Sequence, residues 1–196
     1  MRALGKRSIA SAVKAVLDVA RWGLWLSALA LALGAVAYAG LLGLTAAGSV
    51  NPALLQDLQA HIRLPSSVEY SGPPETSWPV ILWAFAAGGV AIGGGIVIVG
   101  RLRRLFEGFS SGEPFRKEYA SHLRMIWIAM LTIEVSRMAL SALLAVMLRL
   151  LDHSNGTVSF KISIDLTTWL SIFVLIVLAE VFREGARMKE EQELTV

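Results

Sequence analysis

The chain contains no cysteine. That excludes a disulfide framework, a thiolate metal site and a thiol nucleophile together. Charge is scarce as well. Asp, Glu, Lys and Arg make up 17% of the residues, against about 25% in an ordinary soluble domain. Histidine occurs three times, as His61, His122 and His153, with no spacing suited to ligating a metal, so no metal site is expected. Ser136 and Ser141 have no His or Lys nearby to complete a nucleophile and base, so no catalytic residue is expected and the chain is read as a non-enzyme. The "SSG" at 110–112 lacks the Walker spacing and a preceding strand, so no cofactor-binding residue is expected either.

What is present is apolar sequence: 55% of the residues are hydrophobic and the mean hydropathy is +0.61. It falls into four runs. Residues 22–47 and 77–100 carry no charge; 125–151 contain Glu134, Arg137 and Arg149; 166–182 contain only Glu180 near the end. Crossing a bilayer as a helix takes roughly 20 apolar residues. The fold class expected is therefore an all-α integral membrane protein, a four-transmembrane-helix bundle forming a single membrane domain over residues 1–196. The small-residue site around Ala37 and Ala39 would suit signal-peptide cleavage, but the apolar run continues past it, and a retained span is expected.

Orientation follows from Lys and Arg, which favour the cytoplasmic side of a membrane. Arg2, Lys6, Arg7, Lys14 and Arg21 precede the first run. Arg101, Arg103, Arg104, Arg116, Lys117 and Arg124 lie between the second and third. Arg183, Arg187 and Lys189 follow the fourth, whereas the other two connections hold only Arg63 and Lys161. The alternation predicts a cytoplasmic loop over 101–124, outer loops over 48–76 and 152–165, a tail over 183–196, and both termini in the cytoplasm. The net charge of +3 is thus read as topology and contact with anionic lipid, and no nucleic-acid binding is expected.

Within the cytoplasmic loop, Gly108 and Gly112 suit the end of one helix and Pro114 the start of the next. Tyr119, Leu123 and Ile126 then recur at helical spacing. Before the first run, Ile9, Val13, Val16 and Leu17 share one helix face, and Arg7, Lys14, Asp18 and Arg21 another. This pattern predicts an N-terminal interfacial amphipathic helix on the membrane surface; the alternative is packing on the cytoplasmic loop. On the outer side, Asn51 and Pro52 start a short helix through "PALLQDLQAHIRL". Val158, Phe160, Ile162 and Ile164 alternate with polar residues after an Asn155-Gly156 turn. That predicts a strand over 157–165, with 66–71 as its partner, and hence a small extracytoplasmic strand and short-helix cap.

Three groups of residues are candidates for function. Glu134 and Arg137, at i and i+3 deep in the third run, form an intramembrane ion-pair candidate. It is either a structural clamp or part of a ligand or ion pathway. Arg101, Arg103, Arg104, Arg116 and Lys117 form a cytoplasmic interaction candidate. Gly88, Gly89 and Gly93 are helix-packing candidates, within the chain or across a homo-oligomer.

Two segments, "FSSGEPFRKEYASHLRMIWIAML" and "LAEVFREGARMKEEQELTV", with the four-span layout, resemble the bacterial membrane family known as domain of unknown function 2975. Arg116 stands where that family often places a small residue after Pro-Phe. The resemblance implies no activity, cofactor or catalytic residue. It does imply a bacterial inner-membrane location and a helix-turn-helix transcription regulator as partner, because such regulators are often encoded beside family members. The expected function is a non-enzymatic interaction or regulatory protein; the alternative is a small transporter or channel subunit using Glu134 and Arg137.

Overall fold

The computed structural model describes residues 9–48, 51, 67–70, 78–109, 117–151, 158–161 and 164–193. The described elements are α1 (Ile9–Ala46), β1 (Val68–Tyr70), α2 (Trp78–Phe109), α3 (Lys117–Leu151), β2 (Val158–Phe160) and α4 (Leu166–Glu193). Four of these, α1 to α4, are helices long and apolar enough to cross a membrane, over Val13–Thr45, Trp78–Glu107, Glu118–Leu151 and Leu166–Met188. They mark a multi-pass membrane protein. No residue of the apolar stretch of α1 is buried within the chain, although Trp22, Leu26, Leu33 and Val36 lie along it. Such a surface is unfavourable in water and neutral against lipid tails.

The helices are longer than the apolar runs. Helix α2 continues to Phe109 and α3 begins at Lys117, so the loop expected over 101–124 is largely helical at both ends. The residues between them, including Gly112, Pro114 and Arg116, lie outside the described residues. So does the short helix expected after Asn51. The amphipathic segment before the first span is not a separate element, since Ile9–Ala46 is one helix of 38 residues. No proline interrupts 9–46, and the scattered glycines Gly23, Gly34, Gly40 and Gly43 weaken a helix without ending it.

Two compact units are distinguished. One comprises residues 1–26, 92–133 and 165–196, the other 27–91 and 134–164. In the first, Leu105 of α2 and Tyr119 and Leu123 of α3 form a buried cluster, covered by Leu175, Ala179 and Phe182 of α4. The 119, 123, 126 stripe seen in the sequence is therefore a core face: all three residues are buried. In the second unit, Val68 of β1 packs with Val80 of α2 and with Leu144, Ala145 and Leu148 of α3, and Trp83 closes over them.

Strands β1 and β2 pair antiparallel, with Val68 opposite Phe160, Glu69 opposite Ser159 and Tyr70 opposite Val158. The Lys161 N–H donates to the Ser67 carbonyl at 2.8 Å and extends the pairing by one bond. The strand is shorter than the alternation predicts. Asp165, at the end of the alternating run, instead caps α4. It accepts from the Thr167 N–H at 3.1 Å and the Thr168 hydroxyl at 2.6 Å. A carboxylate that satisfies otherwise unpaired donors of a helix start leaves the strand register at that point. Ile162 and Ser163 lie outside the described residues.

The glycines of α2 divide sharply. A Cβ added at Gly88 would meet Leu31, but one added at Gly89 or Gly93 would meet open space. The other close approaches are at Gly94, where a Cβ would overlap Ile133, and at Gly95, where it would press on Leu24. Gly88 and Gly95 are seven residues apart and so share a helix face, as do Leu24 and Leu31. The rotation of α2 about its axis thus turns Gly89 and Gly93 away from these neighbours.

Candidate functional site

Two charged sites are built by these helices. The first is the pair on α3. Arg137 Nη2 donates to Glu134 Oε1 at 2.5 Å, and Nε donates to Oε2 at 3.2 Å. Three residues along a helix bring the two side chains over the same surface patch, and the planar guanidinium matches the two carboxylate oxygens. Their exposure differs. The Glu134 side chain is 7% exposed and that of Arg137 is 38% exposed. Both carboxylate oxygens of Glu134 are occupied by its own helix neighbour. The site is therefore built on a two-point ion pair along one helix.

The second site belongs to the first unit and joins α1 to α2. Lys14 lies 3.3 Å from Glu107, Arg103 lies 3.0 Å from Asp18, and Arg103 Nε reaches Glu107 at 3.1 Å. Arg103 thus bridges two carboxylates, one on its own helix and one on α1. The charged face of the amphipathic segment engages α2, which is the packing alternative to a surface-lying helix. Arg101 and Arg104 form no ion pair among the described residues; Arg104 is exposed and Arg101 half-buried. Lys117 is the first residue of α3, and Arg116 lies outside the described residues. Of the five basic candidates, the structure therefore commits Arg103 to a bridge and leaves Arg101 and Arg104 without an ion pair among the described residues.

Beside this bridge, two adjoining hollows of about 400 and 390 Å³ share Arg21, Trp25 and Arg103. Trp22 and Asp18 line one, and Gly100, Ile96 and Arg104 line the other. Sequence reading weighed packing of the charged face of α1 on the cytoplasmic loop but did not single out these residues as lining one cleft. The signal was available: Arg21 and Trp25 are four apart, and Ile96, Gly100, Arg103 and Glu107 recur at helical spacing.

At the end of α4, Arg183 pairs with Glu180, and Arg187 with Glu184 and Glu191. These are exposed intrahelical pairs on a solvated helix end. Among the described residues, no three His, Asp or Glu side chains converge as metal ligands would.

The family described as "Protein of unknown function (DUF2975)" matches residues 51–196. The match takes in α2, α3, α4 and both strands; α1, with Arg21 and Trp25, precedes it. No curated protein and no solved structure matches the chain.

Proposed function

The chain belongs to the DUF2975 family of proteins of unknown function, and we propose that it is a non-enzymatic interaction or regulatory protein of the bacterial inner membrane. Both termini and the 110–116 connection face the cytoplasm in this reading, supported by the alternation of Lys and Arg among the connections. The two-stranded ladder then lies on the outer side as a small cap. The partner is a cytoplasmic helix-turn-helix regulator, as the family resemblance implies.

The observation that carries the reading is the division of labour among the arginines of α2. Arg103 is held by Asp18 and Glu107, whereas Arg101 and Arg104 form no ion pair among the described residues. Unpaired guanidinium groups at a helix end favour an acidic protein surface. The transporter alternative needs Glu134 to exchange its partner, whereas both of its carboxylate oxygens accept from Arg137 on the same helix. The test is affinity purification in mild detergent followed by mass spectrometry. We expect a DNA-binding regulator to be recovered with the wild type and lost with the Arg101→Gln, Arg104→Gln double variant. Arg103, Arg116, Lys117 and Arg124 remain in that variant to hold the topology. Equal recovery from both proteins, or no recurrent regulator, would refute the assignment.

A further inference from the structure

We propose that the cleft formed by α1 and α2 in the first unit binds the phosphodiester headgroup of an anionic glycerophospholipid. The inference rests on the membrane placement of the helices but not on the regulator partnership.

Charge is the first argument. Around the cleft stand four cations, Lys14, Arg21, Arg103 and Arg104, and two carboxylates, Asp18 and Glu107. The carboxylates are already taken: Arg103 holds both, and Lys14 also reaches Glu107. Arg21 and Arg104 line the cleft and form no ion pair among the described residues, so cations outnumber carboxylates there by four to two. Guanidinium donors match phosphate oxygens in pairs, which an ammonium cannot do.

Shape is the second. A hollow of about 400 Å³ has room for a headgroup, and Gly100 widens the neighbouring one, since apart from its own stretch of helix nothing lies within 4 Å of where its Cβ would be. The third argument is polarity, and it separates a lipid from a soluble anion. Trp22 and Trp25 border the cleft at 73% and 53% exposure, at the point where the charged end of α1 gives way to its apolar run. Indole rings at such a boundary sit at the headgroup level of a bilayer. Leu26, one residue further, is also exposed and continues the apolar surface along which an acyl chain would lie. A free phosphate would use the arginines and leave the indoles and Leu26 in water.

The test is native mass spectrometry of the full chain from detergent, offered equal amounts of phosphatidylglycerol and phosphatidylcholine with the same acyl chains. The wild type should retain phosphatidylglycerol in preference. Arg21→Gln should lower that preference about fivefold, the effect of one cation near an anionic headgroup. Gly100→Leu, which fills the cleft and changes no charge, should lower it as well. Arg124→Gln, near the same end of α3 but outside the cleft, should leave it unchanged.

An unchanged preference in both Arg21→Gln and Gly100→Leu overturns the proposal. An equal fall in Arg124→Gln also overturns it, because general surface charge would then suffice. Displacement of the lipid by millimolar inorganic phosphate would assign the cleft to a soluble anion instead. Carbonate extraction of the cell membranes separates the two levels of failure. A chain released by carbonate refutes the membrane placement and this site together. A chain that stays in the membrane without lipid preference refutes this site alone.

Discussion

Arg137 holds both carboxylate oxygens of Glu134 from one turn further along α3, and the acid is much the more buried of the two. The asymmetry decides which single substitution costs more. Arg137→Met leaves a buried carboxylate with no counter-charge, a loss of about 3–5 kcal/mol for a pair broken in low dielectric. Glu134→Gln leaves an arginine that retains some exposure, and should cost less. The double variant should recover part of the loss, since no orphan charge remains. Thermal unfolding in detergent reads all three; strictly additive losses would show that the pair is not coupled.

A similar contrast separates neighbouring glycines on α2. Gly94→Ala places a methyl group into Ile133, and overpacking of this kind typically costs about 1–3 kcal/mol. Gly93→Ala meets open space and should be neutral or stabilising, because alanine is favoured over glycine in a helix by up to about 1 kcal/mol. Ile133→Ala in the Gly94→Ala background should restore stability. Equal effects at 93 and 94 would mean that α2 is rotated from the position described.

The contact between Lys14 and Glu107 distinguishes a helix packed on α2 from one lying on the membrane surface. The ion pair is exposed and should contribute less than about 1 kcal/mol, so stability is a poor readout. Cross-linking is a better one. With no native cysteine, a Lys14→Cys, Glu107→Cys variant should be joined by a short bifunctional maleimide in membranes. Failure to join, with both sites labelled singly, would place the start of α1 away from α2.

The cap of α4 should titrate. The Thr168 hydroxyl and the Thr167 N–H hold the Asp165 carboxyl below the usual carboxylate range. A carboxyl depressed in the folded state contributes stability above its unfolded pKa and loses it as pH falls through its folded pKa. In acid below the usual carboxylate range, the unfolding midpoint of the wild type should therefore fall more steeply than that of Asp165→Asn. The asparagine keeps an acceptor for the cap but has no proton to gain. Parallel acid profiles for the two proteins would count against the cap.

The topology has its own test. A single cysteine at Ser111→Cys should resist an impermeant thiol reagent in intact cells and react once the membrane is opened. Labelling in intact cells would invert the orientation drawn from Lys and Arg.

The sequence by itself determined the four helices, because apolar runs near 20 residues have one economical solution in lipid: a helix satisfies every backbone group internally. It also determined the local pairs. Glu134 with Arg137, and Arg183 with Glu180, follow from helical spacing alone. The alternation before Asp165 and the need of a lone strand for a partner made the β1–β2 pairing legible as well. Tertiary structure decided what depends on rotation and neighbours. Spacing could not show that Gly94 and Gly95 meet side chains while Gly89 and Gly93 do not, because adjacent helical residues point about 100° apart and only the facing helix selects among them. Nor could it show that Glu134 is buried while Arg137 is half-exposed, or that Arg103 reaches across to Asp18 while Arg21 and Arg104 form no ion pair among the described residues. The Arg103–Asp18 contact joins segments more than 80 residues apart in the chain, where no periodicity carries the information.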